Sequence, residues 1–238
     1  MATTTTAATA MTELALPQLF RLLTWASPAF PTGAFSYSHG LEFAVEEGLV
    51  TNAAQLQDWV GWIVRHGAPY ADAVLFAHAH RAAESGDDAA LDEVAELAGA
   101  MRGTAETALE SLQQGASFFT IAQAVWPQPH LDAFAKRNGT KPALPIAVAL
   151  LSAHSIPLPA ALGAYVHAAM ANLVSAGVRL IPLGQTDGQR SIAALEGAVA
   201  TTVGRALATA LDDLATAAPM VDWTSMRHET QYTRLFRS

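Results

Sequence analysis

Cysteine is absent from this chain, which excludes a disulfide framework, a thiolate zinc site and a cysteine nucleophile and fits a reducing compartment. Lysine is nearly absent, with Lys136 and Lys141 the only two. Charged residues make up 14% of the sequence and the net charge is −8. A chain so poor in positive charge is a weak partner for nucleic acid or anionic lipid, because both are held by Lys and Arg against phosphate. Neither is expected as a partner. Long apolar runs are also lacking: the longest, Leu144 to Leu151, falls far short of the ~20 residues that span a bilayer. The opening MATTTTAATAMTE has neither the basic start nor the apolar stretch of a secretory signal. Residues 1–13 are therefore expected to be a disordered tail, and the protein cytoplasmic.

Enzyme signatures are missing as well. There is no phosphate loop, dinucleotide-binding glycine run, nucleophile elbow or acidic calcium loop. His228-Glu229 begins like a zinc-protease motif, but Tyr232 stands where its second histidine belongs. With eight histidines and no cysteine, a site for nickel, copper or zinc is the one chemistry to weigh. His78 and His80 lie two apart, which on a helix points them in different directions. His39 follows Ser36, Tyr37 and Ser38, a group that more often fixes a loop than serves as a base. His66, His130, His154 and His167 stand alone in the sequence. No cofactor is expected. The competing reading is a helical metal-dependent hydrolase built from scattered His, Asp and Glu residues.

What is present is apolar and helical. Hydrophobic residues make up 51% of the chain, rich in Ala and Leu and poor in β-branched runs, which suits packed helices. So much apolar surface on so few charges means either an Ala-rich, close-packed core or a partner interface. The spacing predicts helices over Leu16–Trp25 and Leu41–Glu47, and another after an N-cap at Asn52. Pro69 suits a helix start. A long tract runs from Asp87 to Trp126, with Gly103 and Gly115 marking close helix contact or a kink. Shorter helices follow over 131–137 and 142–155, and Pro157 and Pro159 open another. Ile192 to Leu214 reads as the longest amphipathic helix, ended by Pro219. The whole is an all-α domain of about nine or ten helices, with body 14–218 and tail 219–238.

Three segments depart from this background. Ser27–His39 is an ordered loop with two prolines, a glycine and three aromatics. Asn172–Arg190 breaks at Pro182 and passes through a polar knot bracketed by Gly184 and Gly188. These glycines are expected to supply positive φ and close backbone approach, and Gln185, Thr186 and Asp187 to cap the next helix. Met226–Ser238 sets Arg227, Arg234 and Arg237 among Tyr232, Leu235 and Phe236, the composition of interface anchors. Docking on a partner is favoured over folding back on the same body.

Together SPAFPTGAFSYSHGLE (27–42), VSAGVRLIPLGQTDGQ (174–189) and the closing HETQYTRLFRS resemble the UreF-type urease accessory proteins. Lys141 departs from that pattern, standing where a histidine is expected before Pro142. The resemblance implies an all-α, non-catalytic homodimer in the complex that delivers nickel to apo-urease. It would bridge UreD (also called UreH) and the nickel-carrying GTPase UreG. It also implies that His228, Glu229, Tyr232, Arg234, Leu235, Phe236 and Arg237 face UreD. Tyr37, Arg179, Gln185, Asp187, Gly188 and Gln189 would form the dimer or GTPase face.

Overall fold

Six of the twelve prolines sit in the first turn of a helix, where a missing N–H costs nothing and φ is already helical. They punctuate a chain whose computed structural model describes residues 14–238. The expected N-terminal tail, 1–13, lies outside the described residues. In order the helices are α1 (Leu16–Trp25), α2 (Leu41–Glu46), α3 (Ala53–His66), α4 (Ala68–Ser85), α5 (Asp88–Ala100) and α6 (Ala105–Val125). They continue as α7 (Pro129–Asn138), α8 (Leu144–Ser152), α9 (Leu158–Leu180), α10 (Gln185–Ala194), α11 (Glu196–Ala208) and α12 (Pro219–His228). Two 3-10 turns, Ala34–Ser36 and Leu211–Asp213, complete the structure, and no strand occurs among the described residues.

The all-α reading holds, with twelve α-helices among the described residues where about nine or ten are expected. Two long helices expected from periodicity are each broken. The first breaks around Gly103, where Thr104 stops α5 from continuing by capping α6: its hydroxyl accepts from the Thr107 N–H at 3.2 Å. The second breaks at Leu195, between α10 and α11. Pro219 was expected to end a helix, yet it begins one. Periodicity reports which face is apolar and continues through a tight turn that keeps that face inward. Local signals fared better: Asn52 caps α3 by accepting from Gln55 N–H at 3.0 Å.

The core centres on α4, α8 and α9. From Tyr70 to Ala83, α4 is buried on almost every side, wrapped by α3, α5, α8, α9 and α11. Ile146, Ala147, Ala149, Leu150 and Leu151 of α8 are fully buried between α4 and α6. By length and composition α9 could cross a membrane, but half of its apolar window is buried in this body, as befits a core helix. Gly115 sets the α6–α8 approach. A Cβ there would lie 2.1 Å from the Pro142 carbonyl oxygen and 2.6 Å from the Leu144 nitrogen. Between the Ser27–Phe35 loop, α6, α8 and α9 lies a cavity of about 280 Å³. Its walls include Trp25, Phe30 and Phe118, and its floor His39, Asp72, Glu110 and Tyr165.

Part of the apolar surplus lies outside. Leu16 and Phe20 of α1 are 78% and 69% exposed, and Leu19 and Leu23 complete an outward stripe at helical spacing. A second exposed group, Met220, Trp223 and Met226, lies along α12.

The tight α6–α8 contact is testable. Gly115→Ala forces backbone apart and should lower unfolding free energy by about 3 kcal/mol. Gly204→Ala, where an added methyl meets nothing, should raise it by about 0.5–1 kcal/mol. Urea denaturation of both variants checks the pair, and equal effects would refute the packing account.

Candidate partner-docking site

The tail is folded back on the body, and three buried carboxylates explain why. Helix α12 turns Val221, Thr224, Ser225 and His228 inward at helical spacing. It lies directly on Gly40, which has φ +72° and whose missing Cβ would lie 2.5 Å from the Ser225 nitrogen. Only glycine meets both demands. This contact brings His228, fully buried, between Glu42 in the first turn of α2 and Glu106 in the first turn of α6.

His228 Nε2 lies 3.0 Å from Glu42 Oε2 and its Nδ1 2.9 Å from Glu106 Oε2, so both ring nitrogens are hydrogen-bonded to carboxyl groups. Glu42 also accepts from the backbone N–H groups of Leu235 (2.6 Å) and Phe236 (2.8 Å), so its carboxylate pins the tail after α12. Arg234 Nη1 adds a bond to Glu106 Oε1 at 3.1 Å. Burial pushes the Glu106 carboxyl above the usual range, against the pull of His228 and Arg234. One turn along α6, Glu110 accepts from His39 Nδ1 (3.0 Å), Ser238 Oγ (3.1 Å) and Gln114 Nε2 (3.0 Å). His39 holds φ +56°. Burial pulls its imidazole down, but the Glu110 charge and hydrogen bond outweigh this and raise it.

The end of the tail runs beside the Ser27–His39 loop. Arg237 N–H donates to the Ser36 carbonyl at 2.7 Å, Ser38 N–H donates to the Ser238 carbonyl at 2.7 Å, and the Ser38 hydroxyl also donates to the Ser238 carbonyl. Tyr37 OH donates to Gln113 Oε1 at 2.6 Å, which Arg237 Nη1 also reaches. Arg179, at the end of α9, stacks its guanidinium 4.4 Å from the Phe236 ring centroid and donates to the Phe35 carbonyl at 2.8 Å. The loop, the end of α9 and the tail thus form one structure.

This placement sorts the expected partner residues. Tyr37, His228 and Phe236 are buried and act as internal anchors, because each satisfies or covers a polar group of the body. Glu229, Tyr232, Arg234, Leu235 and Arg237 face outward, with Tyr232 fully exposed and Leu235 66% exposed. Gln185, Asp187, Gly188 and Gln189 lie on α10, and no hydrogen bond joins them to the tail among the described residues. Asp187 reaches back to the Gly184 N–H at 3.4 Å and pairs with Arg190 at 3.0 Å. Gly188 is buried, and its missing Cβ would meet Val178 at 2.9 Å. Close approach was expected there. Positive φ was not found at Gly184 or Gly188, since both adopt backbone open to any residue.

Sequence reading missed Glu106 and Glu110, whose signal was an i, i+4 acidic pair on an otherwise uncharged helix. His78 and His80 diverge as expected, bonding to the carbonyls of Thr209 and Ile156 respectively.

Two measurements test the cluster. Glu42→Gln replaces the buried carboxylate that His228 and the Leu235 and Phe236 amides all meet and should cost about 3 kcal/mol of stability, while tryptic cleavage after Arg234 accelerates; an unaltered cleavage rate would refute the pinning role. His39 is raised in the folded state, so the stabilisation from its pairing with Glu110 is complete below about pH 6.5 and lost as pH rises through the higher folded value. Stability above pH 6.5 should therefore fall with pH, and His39→Asn, which tolerates the left-handed backbone, should flatten that slope.

Comparison with known proteins agrees with the motifs. The UreF family model matches residues 50–196, more than half of the chain. The urease accessory protein UreF of Rhodopseudomonas palustris strain TIE-1 is 55% identical over 221 residues, covering 92% of each protein. That of strain HaA2 is 56% identical over 222 residues, covering 92% of this chain and 93% of the relative. That of Granulibacter bethesdensis is 52% identical over 221 residues, covering 92% and 94%. With its helical fold and matching length, this chain belongs to the UreF family of urease accessory proteins.

Proposed function

We propose that this protein works by binding, as the bridge between UreD (UreH) and the GTPase UreG during nickel insertion into apo-urease. The observation that carries the reading is the tail, whose buried anchors hold an outward surface in fixed register. Glu42, Glu106 and Glu110 grip His228, the Leu235 and Phe236 amides and Ser238. That grip leaves Tyr232, Leu235, Arg234 and Arg237 facing out, beside the exposed Met220, Trp223 and Met226 of α12. Aromatic, Met and Arg side chains over apolar area are what interface cores enrich. A surface held in place before binding loses less conformational entropy on docking.

In this reading the tail face meets UreD. Arg179, with Gln185, Asp187 and Gln189 on α10, serves the dimer or GTPase face. The protein acts in the cytoplasm as a homodimer and has no chemistry of its own. It favours one nucleotide state of UreG by differential affinity, which shifts that protein's population and times metal release. The relatives are named accessory proteins, which supports a non-catalytic role. The hydrolase alternative lacks support in the geometry, since no three His, Asp or Glu side chains are placed to hold a metal among the described residues.

Deleting the tail would strip Glu42 and Glu106 of their donors and take Ser238 from Glu110, so the discriminating variants are exposed ones. Tyr232→Ala with Leu235→Ala should weaken UreD binding at least about tenfold and leave the urea midpoint unchanged. Undiminished co-purification of UreD with this double variant would overturn the assignment of that face. If the nucleotide affinity and GTP hydrolysis of UreG were both unaffected by saturating protein with UreD present, the regulatory part would fail.

A further inference from the structure

The tail is not the only place where planar and cationic side chains are fixed at the surface. Where α3 ends, Arg65 and His66 lie beside Arg205 of α11, in a protein of net charge −8. None of the three pairs with a carboxylate among the described residues. Their positions are set by the backbone and by aromatic faces. Arg205 Nη1 donates to the Arg65 carbonyl at 3.0 Å, and its guanidinium lies 4.3 Å from the Tyr70 ring centroid. Trp62 is 48% exposed, with its indole N–H bonded to the Ala217 carbonyl at 3.1 Å. The His66 ring packs against it at 4.3 Å, and the His66 carbonyl accepts from Ala217 N–H at 2.8 Å. Burial, then Arg205 and Arg65, hold the His66 imidazole below its ordinary range.

We infer that Trp62, Arg65, His66 and Arg205 form a second docking surface that receives a carboxylate-bearing, acidic segment of a partner protein. Clustered cations without counter-ions attract negative charge and steer its approach. Arg presents a planar fork matched to carboxylate, and here one guanidinium is already immobilised against Tyr70. Trp62 decides the size of the ligand. A rigid, half-exposed indole beside the cations offers apolar area that an inorganic anion cannot use and a peptide can. A polyphosphate strand is disfavoured by the acidity of the remaining surface. The patch lies on α3, α4 and α11, and its hydrogen bonds share no residue with the tail cluster. It is thus independent of the partner assigned to the tail.

The test uses full-length protein and acetyl-hexaglutamate amide, followed by isothermal titration calorimetry at two salt concentrations. Binding is expected, weaker at the higher salt, and reduced about fivefold or more by Arg65→Gln or Arg205→Gln. It should be unaffected by the Tyr232→Ala and Leu235→Ala double variant. Since Arg205 also packs on Tyr70, circular dichroism accompanies each variant, and Arg65→Gln alone suffices if Arg205→Gln unfolds. Absence of peptide binding by folded wild type overturns the inference, as does binding unchanged in Arg65→Gln. Sulfate competing at the same concentration as the peptide overturns it in favour of a simple anion site. A dimer in sedimentation that dissociates in Arg65→Gln, with no peptide bound, overturns it in favour of self-association.

Discussion

A buried histidine held between two carboxyl groups fixes more of this molecule than any single apolar contact. Glu42 and Glu106 open their helices, where the N-terminal end of the dipole favours negative charge. Burial still makes them costly unless donors arrive, and every strong donor except a helix end comes from the tail. Removing one partner of such a cluster leaves charge without compensation, at several kcal/mol. The body without its tail is therefore a different object from the body with it. The three acidic residues that look like poor core choices are the reason residues 229–238 have a defined place at all.

The same dependence explains what was legible in the sequence. Helix α1, the Asn52 cap and the helix starts at Pro69 and Pro159 rest on neighbours within four residues and match the structure, whereas Pro219 does not. The breaks at Gly103 and Leu195 were missed because the apolar face continues through them. The tail's inward grip was not legible for a different reason. His228 and Glu42 stand 186 residues apart, and no local pattern announces such a pairing. Arg, Tyr and Phe do mark anchors, but composition does not say whether an anchor grips the same chain or another. Here it does both by side: His228 and Phe236 grip inward, while Tyr232 and Leu235 are left outward.

The polar knot at 182–190 is sharpened in the same way. Gly188 lets α10 approach Val178, and Asp187 holds the first turn of α10, so the knot is a corner that places α10 against α9. Arg179 stands at that corner and stacks on Phe236. Any rearrangement of the tail is thus felt at the end of α9, and through the Phe35 carbonyl in the Ser27–His39 loop. The three segments that carry the family resemblance are three sides of one contact.

Why an ionic cluster should hold this surface, when apolar residues of similar volume would hold a tail with less desolvation cost, follows from what each specifies. Apolar burial tolerates sliding, because it scales with area and has no direction. The Glu42 carboxylate accepts from two successive amides and an imidazole, and only one register of the tail presents all three donors. A shift of one residue would part the imidazole from the carboxylate that the two amides reach. The cluster therefore converts a flexible end into a surface with a single geometry, which a partner can meet without first ordering it. For a protein whose work is to hold others in a defined relation, that register is the property the three buried carboxylates supply.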